Sequence, residues 1–189
     1  MMNSAVDIPK VLYVSGFSDI VGGGQRSFFL LLEHLDRSRF RPVVLCSGEG
    51  EVSRRVSEMG IETLFLEQPG LKTWKLWRVA AYATALRSVI RKSGARLIHC
   101  DTLNSAFLAG LANLFCGIPV VLHARTSCSG GVLDRIVPFF CDRIICVSRA
   151  VAARFTGSLY FPDKVLVIYN GVDTVDFAPS LNGDEFRKN

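Results

Sequence analysis

Short apolar runs recur along the chain at Val11 to Ser15, Pro42 to Cys46, Thr63 to Leu66, Leu97 to Cys100, Pro119 to Leu122, Arg143 to Val147 and Val165 to Tyr169. Most have no polar interruption, which is the pattern of strands covered on both faces. Between them the apolar spacing becomes helical, in SFFLLLEHL, EVSRRVSEM, the long TWKLWRVAAYATALRSVIRK, NSAFLAGLANLF, GVLDRIVPFF and RAVAARF. Strand and helix in alternation predict an α/β fold: a Rossmann-like parallel sheet with helices on both faces, joined by right-handed crossovers. Such sheets bind ligands beyond the carboxyl ends of their strands, near the point where strand order reverses. In this chain small and polar residues follow the strands: Gly16 and Gly22 to Gly24 after the first, Ser47 and Gly48 after the second. Asp101, Thr102 and Asn104 follow the fourth, His123, Arg125 and Thr126 the fifth, and Ser148 the sixth. That edge is the expected site.

The stretch DIVGGGQRS, residues 19 to 27, is the most unusual part of this edge. The connection from Ser15 to a helix starting near Gln25 is longer than the about 2 to 6 residues usual for a strand-to-helix loop. Three glycines ahead of a helix let its N-terminal N–H groups and positive end approach an anion with no Cβ in the way. The segment is neither GxGxxG nor a Walker A loop, since no GK[ST] follows, so a dinucleotide site is disfavoured. The plain alternative is a flexible turn that needs positive φ.

At 189 residues, with 49% hydrophobic and 21% charged content, the chain matches one globular domain able to bury a full core. No apolar run reaches membrane-spanning length, and MMNSAVDIPK lacks the features of a secretory signal, so the expectation is a soluble cytoplasmic protein. The six cysteines form no CxxC pair and lie mostly in apolar runs, so they read as small buried hydrophobes, with Cys128 in the TSCSGG loop the exception. No metal or other cofactor is expected. The net charge of +5 favours acidic partners. Nucleic acid is not among those expected, because no compact Lys/Arg stripe with exposed aromatics appears beyond one helix.

That helix contains GLKTWKLWR, residues 70 to 78. Leu76, Val79, Ala83, Leu86 and Ile90 form its inward stripe, while Trp74, Trp77, Lys72, Lys75 and Arg78 fall mostly off it. Tryptophans interleaved with cations suit an anionic membrane surface, and a bland packing role over neighbouring loops competes with that reading. Elsewhere, His99 reads as a hydrogen-bonded core residue, Ser148 as a helix cap, and Asp134 and Arg135 as surface. Asp101 and Asn104 suit either a helix start or ligand contact. His123 and Arg125, two apart at a strand end, project to the same side. There one can orient a hydroxyl or relay its proton while the other pairs with phosphate or carboxylate.

Several segments together resemble the N-terminal domain of family 4 (group 1) glycosyltransferases of the GT-B fold. Gly22-Gly23-Gly24-Gln25-Arg26 before an apolar helix is similar to that family's GG-small-Glu-Arg opening, with Gln25 in place of Glu. RLIHCDTLNSAFLAGLANLFCGIPVVLHAR resembles its strand, helix and Gly-Ile-Pro-Val-Val strand with a histidine-bearing end. DRIICVSRAVAARF and KVLVIYNGVDTVDFAP resemble its Val-Ser element and its Asn-Gly-Val-Asp-x-x-x-Phe-x-Pro signature. The family commonly has its histidine six residues after the strand's proline, where Arg125 stands here, with His123 at the fourth position, so the two share that expectation.

The resemblance implies one half of a GT-B enzyme. Residues 1–179 would be the acceptor-side domain and 180–189 the start of a linker or tail, with a C-terminal donor domain absent. The implied reaction is retaining transfer of a sugar, of the hexosyltransferase class, from a nucleotide-sugar to a glycan or lipid-linked acceptor in glycan or cell-envelope polysaccharide biosynthesis. Gly22, Gly23 and Gly24 would approach the donor phosphate, His123 and Arg125 would be catalytic, and Asp101, Asn104 and Thr126 would contact the acceptor. The partner domain would be the protein's own C-terminal half. Trp74 and Trp77 would give peripheral contact with the inner face of the membrane, and the isolated chain would be inactive. A stand-alone nucleotide-binding or regulatory Rossmann-like module is the alternative.

Overall fold

The structure is a computed structural model and describes residues 7–20, 22–70, 76–156 and 162–174. Each apolar run forms a strand: β1 (Lys10–Val14), β2 (Arg41–Cys46), β3 (Glu62–Phe65), β4 (Ala95–Cys100), β5 (Val120–Ala124), β6 (Arg143–Cys146) and β7 (Val165–Val167). The helices are α1 (Gly23–Glu33), α2 (Glu51–Glu58), α3 (Leu76–Ser93), α4 (Leu103–Asn113), α5 (Val132–Phe140) and α6 (Arg149–Thr156).

The strands pair in the order β3-β2-β1-β4-β5-β6-β7, every pair parallel. The order reverses between β1 and β4, so the crevice beyond Val14 and Cys100 is the switch point at which a doubly wound sheet accepts ligands. Side chains of β1 alternate between two cores. Val11 and Tyr13 join Phe28, Phe29 and Leu32 of α1 and Val52 and Val56 of α2 on one face. Leu12 and Val14 join Leu86 and Ile90 of α3 and Leu108 of α4 on the other. Burial on both faces explains why β1 and β2 carry unbroken apolar runs.

Helices α4 and α5 touch through Gly110, where a Cβ would overlap the Phe140 side chain. Glycine is required there by close approach, since its backbone is helical. The expected stripe of α3 is partly corrected. Leu86 and Ile90 are buried, and Val79 and Ala83 pack against the core, but Leu76 is 79% exposed and the buried place belongs to Tyr82. The first turn of α3 extends past the packed face, so periodicity alone places Leu76 too deep. Trp77 is exposed beside it, while Lys72, Trp74 and Lys75 lie outside the described residues. Cys46, Cys100, Cys141 and Cys146 are buried, Cys116 is half-buried and Cys128 is exposed. No helix among the described residues is long and apolar enough to cross a membrane.

Candidate functional site

Asp101, immediately after β4, ties the switch point together. Its Oδ2 accepts from Ser15 Oγ at 3.0 Å, and its Oδ1 accepts from the Gly16 N–H at 3.0 Å and from Ser105 Oγ at 3.3 Å. The loops leaving β1 and β4 are thereby fixed to each other. Burial raises the Asp101 pKa, opposed by these donors and by the Arg125 charge. Thr102 next to it caps α4, its Oγ1 accepting from the Ser105 N–H at 3.0 Å.

Helix α1 begins at Gly23 rather than near Gln25, so two of the three glycines form its first turn and Gly22 is the cap. None of the three has positive φ, and Gly22 is extended at −177°, which removes the reading of a turn that needs left-handed backbone. The glycines leave room instead: a Cβ on Gly22 or Gly23 meets nothing within 4 Å, and one on Gly24 would stand 3.7 Å from Arg125 Cβ. Gln25 Oε1 accepts the Gly22 N–H at 3.1 Å, and the first turn holds no acidic residue. The positive end of α1 therefore has no compensating charge of its own.

Arg125 lies between α1 and β5. Its Nη2 donates to His123 Nδ1 at 2.9 Å. A guanidinium has only donors, so Nδ1 must accept and the His123 proton is on Nε2. Burial first, and the Arg125 charge second, hold the His123 pKa down at about 3, so the ring is neutral at physiological pH. His123 stacks on His99 at 5.5 Å between centroids, and His99 rests against Tyr13 at 4.9 Å. His99 is closed off as expected, yet its Nε2 has no hydrogen-bond partner among the described residues, a correction to its expected satisfied state. Burial lowers the Arg125 pKa to about 10, which leaves it cationic at neutral pH, with Nε and Nη1 likewise unpartnered among the described residues. The guanidinium lies 5.8 Å from the centroid of the Phe28 ring.

Gly22, Gly23, Gly24, Asp101, Arg125 and Thr126 all line one cavity of about 360 Å³. Asn104 lines neither this cavity nor the next. His123 opens onto a second cavity of about 270 Å³ between α1 and the segment Ile168–Asp173, where Ser27 Oγ donates to Asn170 Oδ1 at 2.7 Å. The expectation that His123 and Arg125 serve one side is thus modified, since they are bonded to each other but face different cavities. Ser148 caps α6 as expected, accepting from the Val151 N–H at 3.2 Å.

A cavity-lining residue and its buried partner are not apparent from the sequence. Asp134, expected at the surface, is buried and ion-paired at 2.6 Å with Arg154, which lines the larger cavity. Arg135 is exposed as expected. The available signal was Ser129-Gly130-Gly131 followed by an acid in the first helical turn, a pattern that can satisfy a helix start. Among the described residues no group of three or more His, Cys, Asp or Glu could hold a metal ion.

The neutral histidines make stability depend on pH. Both His99 and His123 have pKa values depressed by burial and by Arg125, so the unfolded chain binds more protons than the folded one below the ordinary value of 6.5. Their contribution is fully present above that value and is lost as pH falls, for His123 down to about 3. The unfolding free energy should therefore drop by about 1.4 kcal/mol per pH unit through His123 between about pH 6 and 4.5, with His99 acting in the same direction. Urea titrations of the wild type and His123→Asn over this range test it, with the variant's slope smaller by about one proton. Equal slopes would rule the account out.

No curated protein sequence matches this chain. The model of Glycosyltransferase Family 4 matches residues 21–176. Among solved structures, HepE of Anabaena, in complex with UDP and glucose, superposes with a TM-score of 0.72 at 16% identity, over 95% of this chain and 49% of that one. A glycosyltransferase from Rickettsia africae gives 0.73 at 17% identity, over 96% and 48%. The lipopolysaccharide outer core galactosyltransferase WaaB gives 0.68 at 11% identity, over 87% and 46%. The chain thus spans about half the length of these structures. With its doubly wound seven-stranded sheet and a family match over most of its length, the chain belongs to glycosyltransferase family 4 and folds as one half of a GT-B enzyme.

Proposed function

We propose that this chain is the acceptor-side half of a retaining hexosyltransferase that moves a sugar from a nucleotide-sugar to a glycan or lipid-linked acceptor in glycan or cell-envelope polysaccharide synthesis. The observation that carries the reading is that the uncompensated start of α1 and the cationic Arg125 side chain line one cavity. The leaving group of a nucleotide-sugar is a diphosphate, whose charge grows as the glycosidic bond breaks. N–H groups at Gly23 and Gly24 and the Arg125 guanidinium supply donors to that charge, while Gly22, its own N–H held by Gln25 Oε1, keeps the approach clear of a side chain. HepE, with which the fold is shared, has been captured with UDP-glucose, which supports a uridine donor here.

His123, neutral and protonated on Nε2, acts as a hydrogen-bond donor to a sugar hydroxyl, with Arg125 fixing its tautomer. Thr126 contacts the acceptor, and Asp101 holds in place the two loops beside it. No metal or other cofactor takes part. The exposed pair Leu76 and Trp77, beside Arg78, gives peripheral contact with the inner face of the membrane, where a lipid-linked acceptor would be met.

A GT-B centre lies between two halves, so the advantage of holding donor and acceptor together needs both. The 189-residue chain alone is expected to give no measurable sugar transfer and only weak binding of UDP-glucose by calorimetry. Joined to its C-terminal half, it is expected to turn over. Tight UDP-glucose binding or transfer by the chain alone would overturn this reading in favour of a complete nucleotide-binding module.

A further inference from the structure

The β5–α5 connection is held by an ion pair that the proposed chemistry does not use. Arg154 on α6 donates from Nη1 to the Thr126 carbonyl at 2.6 Å and from Nη2 to Asp134 Oδ1 at 2.6 Å. The other Asp134 oxygen, Oδ2, accepts from the Gly130 N–H at 2.8 Å and from Ser129 Oγ at 3.1 Å. Both ends of the loop are thereby fastened to one guanidinium and one carboxylate, each side chain 9% exposed. Gly130 completes the junction, since a Cβ there would overlap Leu103 Cδ1 and stand 3.0 Å from Asp134 Oδ1. Thr126 and Cys128 of this loop line the larger cavity, and so does Arg154 itself.

Stability does not account for such a pair. Desolvating two charges costs several kcal/mol, and apolar residues of similar volume often serve the fold as well or better. What the pair supplies is direction: a planar fork with two separate partners fixes the loop in one arrangement. We propose that Asp134 and Arg154 are positioning residues that preset the β5–α5 loop as the acceptor-facing wall of the cavity. The term acceptor-facing rests on the transferase reading, whereas the presetting does not. A wall ordered before substrate arrives spares the reaction the entropy of ordering it and restricts which acceptors fit.

Cys128 provides the reporter. It is the exposed cysteine, four others being buried and Cys116 half-buried, so a trifluoroethyl thiol tag placed there reads the loop by fluorine NMR. Hydrogen exchange at residues 127–131 and in β1 and β4 is measured in parallel, together with the melting temperature. The wild type should give one dispersed fluorine resonance. Asp134→Asn and Arg154→Lys should each move it toward the free-tag position and speed loop exchange at least tenfold, with β1 and β4 protection unchanged. Asp134→Glu should restore part of the signal. The double variant Asp134→Leu/Arg154→Met should keep the melting temperature yet lose the dispersed resonance. The proposal is overturned if the double variant retains the wild-type signal, or if loop and sheet protection fall in the same proportion in the single variants. Failure of the transferase reading shows separately, as absence of sugar transfer by the two-domain protein with an intact loop signal.

Discussion

Gly23→Val is expected to reduce sugar transfer by the two-domain enzyme about 100-fold or more while leaving the fold in place, in line with what the loss of one charge-stabilising donor costs elsewhere. The fold tolerates the change for three reasons. A Cβ at Gly23 meets nothing within 4 Å, and its backbone has no positive φ. Valine is also no worse than glycine in a helix. The branched side chain must then occupy the space in front of the α1 N–H groups, which is the cavity itself. Turnover at saturating donor, with a melting curve on the same sample, checks both halves of the expectation. Ordinary kinetics in a folded Gly23→Val protein would remove the glycines from the site.

Arg125→Lys should cost about 10- to 100-fold in kcat/KM, although charge is kept. The guanidinium reaches His123 with one nitrogen and keeps Nε and Nη1 for other partners, and an ammonium on a flexible stem cannot do both. Release of Nδ1 also frees the His123 tautomer, so nitrogen chemical shifts of the imidazole should change from a single Nε2–H form to a mixture. Donor affinity and tautomer are read independently. If Arg125→Lys and His123→Ala both retain full activity, the site has been placed on the wrong residues.

Strands and helices were readable because burial on both faces leaves a plain mark: runs such as Val43 to Cys46 admit no polar residue when α2 and α3 cover opposite sides. The carboxyl-edge location of Gly22 to Gly24, Asp101 and Arg125 followed from the same alternation. The features that escaped have different causes. Glycine is a poor helix former, so propensity moves the start of α1 to Gln25, whereas the capping bond from Gly22 to Gln25 starts it earlier. Leu76 fits the helical period but lies beyond the packed surface. Asp134 looks like a surface acid because its partner is 20 residues away on another helix, and no local pattern encodes that pairing. The division of His123 and Arg125 between two cavities depends on where Ile168–Asp173 returns against α1, a long-range contact that spacing along β5 cannot convey.

Among the described residues the sheet ends on β7, only Val165–Val167, with Leu166 43% and Val167 38% exposed, and Ile168 and Tyr169 more so. Among the described residues it pairs with β6 alone, which leaves its outer row of peptide groups open. An open apolar edge is a template for strand addition by another molecule, and brevity is one of the ways proteins blunt it. At three residues β7 offers too little ladder to nucleate a stable foreign strand. Substitutions that extended β pairing into Ile168 and Tyr169 would lengthen that open ladder and favour edge-to-edge assembly.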